Sequence, residues 1–334
     1  MRSLLIDRPG HAAVRDVARP APGPGEVLVE VAACGICGTD IHIFRGEYLG
    51  TYPITPGHEL AGTVAATGSG VQRFRPGDRV AVEPNIACNS CPACLANRQN
   101  FCENWKAIGV TLPGGMAELV LAPENAVFSI GSLPFRAAAF VEPLSCVLHG
   151  MQRADPRPAD RILVVGAGPI GILLMKTALV MGASSLLVVD RNRERLARAK
   201  LEGGAVVDTL DETGGIPAER FDLVVDATGV PALMEQTTRW ARPGGRILLF
   251  GVPPAQSRIS LDAFPIFRKG LTLLSSYTSV RNSLQAVRLL ESGRIDVSAL
   301  VSHELPLEEF AAAVEMIESG SEGVMKVILH PSGS

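Results

Sequence analysis

No segment of these 334 residues approaches the ~18 to 20 unbroken apolar positions that a membrane-spanning helix needs. The opening stretch, MRSLLIDRPGHAAVRDVARP, has no apolar run long enough for a secretory signal. Both absences predict a cytoplasmic protein with no membrane partner. An excess of basic charge is also missing. The formal net charge is −3 and the pI is near 6.1, so nothing draws the chain to nucleic acid or to an anionic membrane surface. The Arg-rich run DRNRERLARAK is interleaved with Asp190 and Glu194 and reads as the solvated face of a helix. Internal repeats and low-complexity tracts are lacking too.

What is present is a globular composition, 47% apolar and 19% charged, at a length that suits two domains. Up to about residue 130 short apolar runs such as EVLVEVAA and GDRVAVEP alternate with Gly and Pro turns, a β-rich texture. From about residue 160 strands and helices alternate. RILVVGAG, SSLLVVD, AVVD, FDLVVDATG, GGRILLFG and LTLLSSY read as strands, with helices between them that include Pro231–Trp240. Such alternation predicts an α/β domain with a doubly wound parallel sheet. After Tyr277 the alternation stops. The helix around SLQAVRLLESG and the closing GVMKVILH are therefore returned to the first domain, which makes that domain discontinuous.

VVGAGPIG places Gly166, Gly168 and Gly171 in G-x-G-x-x-G spacing, with Pro169 and Ile170 opening the helix that follows. The first glycine permits a tight turn, the second lets backbone approach a pyrophosphate, and the third allows close helix–strand packing. Asp190 ends the next strand, where a carboxylate meets the adenosine ribose hydroxyls. Its charge repels a 2′-phosphate and favours NAD over NADP. Arg191, directly after it, weakens that inference, and Arg195 is placed either against the adenine end or on the helix surface.

Four of the seven cysteines, Cys88, Cys91, Cys94 and Cys102, follow a C-x2-C-x2-C-x7-C spacing. In a reducing compartment this argues for metal over disulfides. Four thiolates on a short loop suit a closed tetrahedral zinc with no open position. An iron–sulfur cluster is the rival, but its C-x2-C-x2-C-x3-C-P run differs in the last gap and in Glu103 after the last cysteine. Disulfides or a metal-free loop would also be compatible with the spacing. A closed site cannot bind substrate, so the chemistry belongs elsewhere.

Cys37, Thr39 and His42 in CGICGTDIH, with His58 and Glu59 in PGHELAG, offer a thiolate, an imidazole and a carboxylate. That mixed set can keep a coordination position open, as catalytic zinc requires. His58 taken alone reads as a structural histidine; the company of Glu59 and flanking glycines is what points to a metal. Glu142 in VEPLSCVLHG is either a further ligand, the partner of a water at the metal, or a helix N-terminal acid favoured by the dipole. Cys34, Cys146 and His149 have no partner by spacing and read as ordinary buried or helical residues.

Taken in order, Cys37, the Gly57-His58-Glu59-x-x-Gly62 motif with Gly68 and Val71 beyond, the four-cysteine lobe, the Glu142-Pro143 motif and the glycine fingerprint resemble the zinc-dependent medium-chain dehydrogenase/reductase superfamily over nearly the whole chain. The resemblance implies a GroES-like β-rich catalytic domain over 1–145 and 281–334 with a zinc lobe at about 85–105, and a Rossmann NAD-binding domain over 146–280. Its active site would lie in the cleft between the two. The branch it most resembles is the polyol dehydrogenases of sorbitol, xylitol and arabinitol, with L-threonine dehydrogenase close by. By that match Cys37, His58 and Glu59 are ligands of a catalytic zinc, Glu142 is a ligand or water partner, and Thr39 and His42 carry the substrate proton outward. Cys88, Cys91, Cys94 and Cys102 would hold a second, structural zinc, two per chain. The family also implies a homotetramer or homodimer.

There is one departure. Sorbitol and threonine dehydrogenases place an arginine near the end of the Rossmann sheet, and here Ser276 stands at that position beside Tyr277. Glu47 and Tyr48 line the substrate pocket or form a surface turn. The expected activity is zinc-dependent hydride transfer between a small-molecule secondary alcohol, a polyol, and NAD. Its rivals are an L-threonine 3-dehydrogenase, a simple secondary alcohol dehydrogenase and a non-catalytic zinc and nucleotide scaffold.

Overall fold

The computed structural model describes residues 1–47, 51–203, 206–209, 215–320 and 323–332. Tyr48 lies outside the described residues. The chain divides into two units, Met1–Ser145 with Ser279–Ser334, and Cys146–Thr278.

The first unit is built on a seven-stranded sheet whose central member is Glu26–Gly35. Its sequence, EVLVEVAACG, is apolar on both faces, and Val27, Leu28, Val29, Val31, Ala33 and Cys34 are at most 2% exposed. A strand buried on both sides needs neighbours along both edges. Glu59–Thr67 pairs antiparallel along nearly its whole length. Leu119–Pro123 takes the first half of the other edge. Lys326–His330 takes the end of that edge, with Ile328 opposite Gly35 and Leu329 opposite Cys34. The GVMKVILH segment thus closes a sheet begun some 290 residues earlier, and Arg79–Val82, Val127–Ser129 and Val301–Pro306 extend it. The cysteine lobe is a small excursion. It is held at its base by the pairing of Asn85–Ile86 with Lys106–Ala107 and carries the short helix Pro92–Leu95.

The second unit is a six-stranded, wholly parallel sheet. From one edge to the other the strands are Val206–Thr209, Ser185–Asp190, Arg161–Val165, Phe221–Asp226, Ala241–Leu249 and Thr272–Ser275. In order of appearance this is 3-2-1-4-5-6, the doubly wound arrangement that binds dinucleotides where the order reverses. The reversal falls between Arg161–Val165 and Phe221–Asp226, and the glycine turn leaves the first of these two strands. The helix that follows, Pro169–Val180, is apolar nearly all round and buries seven residues from Gly171 to Ala178, as a helix packed within a domain must. The Arg-rich helix Arg193–Leu201 buries Leu196 and Ala199 and turns most of its charges to solvent. Asn192 caps it by accepting from the N–H groups of Glu194 and Arg195. The α/β organisation expected from the sequence is the one the chain adopts.

Candidate functional site

In the first unit two segments bring their side chains together. Cys37 is the N-cap of the helix Gly38–Arg45. His58 and Glu59 sit at the entry to the strand Glu59–Thr67. Ligand-capable atoms of Cys37, His58 and Glu59 all lie within 4.8 Å of one another. His58 and Glu59 are buried and Cys37 is half-buried. One thiol, one imidazole and one carboxylate converging in this way are a donor set that fits zinc with a position to spare.

What holds the two segments in register is Asp40, a residue that motif reading passes over. Its carboxylate is fully buried and accepts from the Cys37 N–H at 2.8 Å through Oδ2 and from the Gly57 N–H at 3.0 Å through Oδ1. Among the described residues His58 Nδ1 makes no hydrogen bond; it lies 3.4 Å from the same Asp40 Oδ1, an ion-pair distance without hydrogen-bond alignment. With Nδ1 facing Asp40, Nε2 is the nitrogen left for a metal, the arrangement in which an outer carboxylate orients a ligating imidazole. Burial by itself pushes the His58 imidazole down, but the Asp40 carboxylate and the Cys37 sulfur more than reverse this and raise it well above its ordinary value.

A second residue outside the motifs is Lys326. It is 5% exposed, and its ammonium donates to both oxygens of Glu59, at 2.8 and 2.6 Å, and to the Ile36 carbonyl at 3.0 Å. Burial lowers the lysine, yet Glu59 above all, with Cys37 and Asp40, holds it above the usual range. The sequence did carry a signal, because a lone lysine in the apolar run VMKVILH has to find a buried partner.

Thr39 and His42 stand three residues apart on Gly38–Arg45, hence on one face, and both are half-buried. His42 Nδ1 is 2.8 Å from Glu47 Oε2, and Glu47 is exposed. Glu142 is buried in the first turn of the helix Val141–Ala154, and its carboxylate is not among the atoms that gather within 4.8 Å.

The four lobe sulfurs also lie within 4.8 Å of one another, with Cys88–Cys94 and Cys91–Cys102 at 4.0 Å. A disulfide needs ~2.05 Å. Ligands of one tetrahedral ion at ~2.3 Å stand ~3.8 Å apart, close to what is found. The Cys88 N–H points at Cys102 Sγ, 3.2 Å away, and the Cys91 N–H at Cys88 Sγ, 3.4 Å away. Hydrogen bonds from the Ser90 side chain and backbone, and from the Cys91 backbone, pull the Cys88 thiol down to about 5. Burial and the neighbouring sulfurs push Cys94 up to about 12.

In the second unit the fingerprint has the geometry a pyrophosphate requires. Gly166 has φ +105, and a Cβ at Gly171 would sit 1.9 Å from the Gly166 carbonyl oxygen, so only glycine lets the helix Pro169–Val180 start this close to the turn. Gly168 is the N-cap, with Pro169 and Ile170 in the first turn. Asp190 Oδ2 accepts from the Ala167 N–H at 2.7 Å and Oδ1 from the Asn192 N–H at 2.8 Å, which fixes a negative charge beside the glycine turn. The Arg195 guanidinium reaches to 4.0 Å from where a Cβ of Gly168 would stand, and its buried Nε has no hydrogen-bond partner among the described residues. Asp226 is also missed by motif reading. Fully buried, it ties the turn after Phe221–Asp226 through the Thr228 hydroxyl at 2.6 Å and the Gly229 N–H at 3.1 Å. The buried hydroxyl of Ser276 and the buried Nε2 of His149 make no hydrogen bond among the described residues.

Comparison with known proteins finds two families along the chain. Residues 23–132 match the alcohol dehydrogenase GroES-like domain, and residues 169–292 match the zinc-binding dehydrogenases. D-altritol 5-dehydrogenase of Agrobacterium fabrum is 38% identical, over 92% of this chain and 94% of that protein. An L-threonine 3-dehydrogenase of Bacillus velezensis is 33% identical, over 96% and 95%. A zinc-binding dehydrogenase of Sinorhizobium meliloti, solved with NADP, superposes with a TM-score of 0.95 at 33% identity over 99% of both chains.

Proposed function

The chain belongs to the zinc-binding dehydrogenases that carry an alcohol dehydrogenase GroES-like domain, and from this premise we propose that it oxidises a secondary alcohol of the polyol class with NAD as hydride acceptor. One observation carries the reading: Cys37, His58 and Glu59 converge within 4.8 Å in a chain whose other unit bears the dinucleotide turn. Zinc at that set would supply the Lewis acidity that lowers the pKa of an alcohol hydroxyl, and NAD would supply the hydride acceptor.

The remaining work belongs to the chain's own residues. Cys37, His58 and Glu59 would hold the zinc, with the substrate hydroxyl oriented toward them. The Thr39 hydroxyl takes the substrate proton and His42 passes it to solvent, where Glu47 bonds its Nδ1. Glu142, which stands outside the ligand group, is assigned to hydrogen-bonding a water in the site rather than to ligation. The fixed charge of Asp190 disfavours a 2′-phosphate, which supports NAD even though a relative binds NADP. A second, structural zinc is assigned to the four lobe cysteines, whose 4.0 Å spacings suit a single ion. Cytoplasmic location follows from reading the clustered cysteines as metal ligands, and a homotetramer or homodimer is the assembly we assign.

The polyol assignment rests on likeness to D-altritol 5-dehydrogenase. The rival, L-threonine oxidation, is favoured by the 33% identical threonine enzyme and opposed by Ser276 at the position of the expected arginine. NADH formation measured across pentitols, hexitols, their phosphates, L-threonine and simple secondary alcohols decides between them. A polyol should give the highest kcat/KM. Turnover confined to L-threonine would overturn the substrate class, and no NADH from any alcohol would overturn the reaction.

A further inference from the structure

We propose that Lys326 competes with the metal for Glu59 and so limits how tightly the Cys37–His58–Glu59 centre holds its ion; this positioning role rests on the metal reading above. The strands Lys326–His330, Glu26–Gly35 and Glu59–Thr67 lie side by side, and both Ile328 and Glu59 are register partners of Gly35. Glu59 therefore starts on one side of the central strand and Lys326 on the other. The carboxylate crosses over Gly35 to reach the ammonium. A Cβ at Gly35 would stand 2.3 Å from Glu59 Oε2, so any other residue there closes the path.

At the far end Lys326 Nζ has three acceptors, Glu59 Oε1, Glu59 Oε2 and the Ile36 carbonyl, which use all three of its protons. Glu59 is 1% and Lys326 5% exposed, so water does not replace either partner. Yet a Glu59 oxygen is also within 4.8 Å of the Cys37 and His58 donor atoms. A metal that takes this oxygen takes it from Lys326, and the two cations then repel each other in a poorly screened interior. Both effects have the same sign. By linkage, whatever Lys326 gains from Glu59 is subtracted from the metal's affinity. The pairing also gives Glu59 a partner when the metal is away, instead of a stranded buried charge.

The sign separates this from an ordinary supporting role. A residue that merely orients a ligand costs metal affinity when removed, by about 10- to 100-fold. Competition predicts the opposite. Zinc dissociation constants are to be measured by chelator competition on the full chain, for wild type, Lys326→Met and Lys326→Gln, scoring the zinc that Cys37→Ser loses. Both Lys326 variants should bind that zinc about 10- to 100-fold more tightly. In a Glu59→Gln background the competition is gone and only the repulsion is left, so Lys326→Met should tighten zinc binding by clearly less than it does in wild type; an equal gain in both backgrounds overturns the competition. Zinc should also raise the melting temperature of the Lys326 variants by more than it raises that of wild type. Unchanged or weaker zinc binding overturns the proposal, as does failure of both variants to fold at saturating zinc, where the lysine should be dispensable. If wild type holds no zinc that Cys37→Ser removes, the metal reading itself has failed and this inference falls with it.

Discussion

Replacing Asp40 by asparagine keeps the shape of a fully buried side chain and removes its charge, and the two backbone donors on it make the outcome calculable. Cys37 N–H bonds Oδ2 at 2.8 Å and Gly57 N–H bonds Oδ1 at 3.0 Å. A carboxylate accepts both, whereas an amide has one oxygen and one NH2 group. Whichever way the asparagine turns, one N–H faces another donor with no water to relieve it, since Asp40 is 0% exposed. Losing one charge-assisted bond and leaving a buried donor unpaired costs about 2 to 4 kcal/mol. The same change removes the carboxylate that faces His58 Nδ1 and lets the Cys37 and His58 segments drift, so zinc affinity should fall by about 10- to 100-fold. Denaturant unfolding of the zinc-loaded and zinc-stripped protein reads the first effect, and chelator competition reads the second. An Asp40→Asn protein with wild-type stability and wild-type zinc affinity would refute the idea that Asp40 joins the two segments.

Three further outcomes are expected. Cys94→Ser should remove one zinc per chain and lower the melting temperature while leaving kcat of the folded fraction intact; selective loss of kcat in a stable protein would contradict a structural lobe. Asp190→Ala should raise the ratio of NADP to NAD kcat/KM by about tenfold or more, because the repelling charge is gone; an unchanged ratio would move cofactor choice elsewhere. Burial alone raises the Asp222 carboxyl, but the Arg161 N–H and the Arg242 and Arg161 guanidiniums hold it below the usual range. A carboxyl depressed by folding stabilises the protein above about pH 4 and loses that contribution as pH falls through its folded value. Asp222→Asn should therefore cost about 1 to 2 kcal/mol near neutral pH, with the gap to wild type closing on acidification; a gap that persists at low pH would show that charge is not the cause.

The fold and part of the site were legible because their signals are contiguous. VVGAGPIG followed by Asp190 announces a strand, turn and helix with a ribose acid, and the structure places the turn where the strand order reverses. CNSCPACLANRQNFC announces a thiolate cluster through spacing alone, and its sulfurs gather within 4.8 Å. What spacing could not supply are the partners that chain folding brings from far away. Lys326 meets Glu59 across 267 positions, and no local pattern encodes that pairing. Asp40 is only three residues from Cys37, yet its second bond reaches Gly57 seventeen positions on, so its role as a tie appears only once the strand Glu59–Thr67 is in place. Glu142 is the reverse case: a conspicuous motif residue whose carboxylate the fold leaves outside the three-ligand group.

On this reading the chemistry belongs to the unbalanced set Cys37, His58 and Glu59 and not to the four-thiolate lobe. Elemental analysis of zinc per chain, comparing wild type with Cys37→Ser, separates the two centres. About two zincs should fall to one, with the lobe still loaded. A wild type with a single zinc, or a Cys37→Ser protein that keeps both, would contradict it.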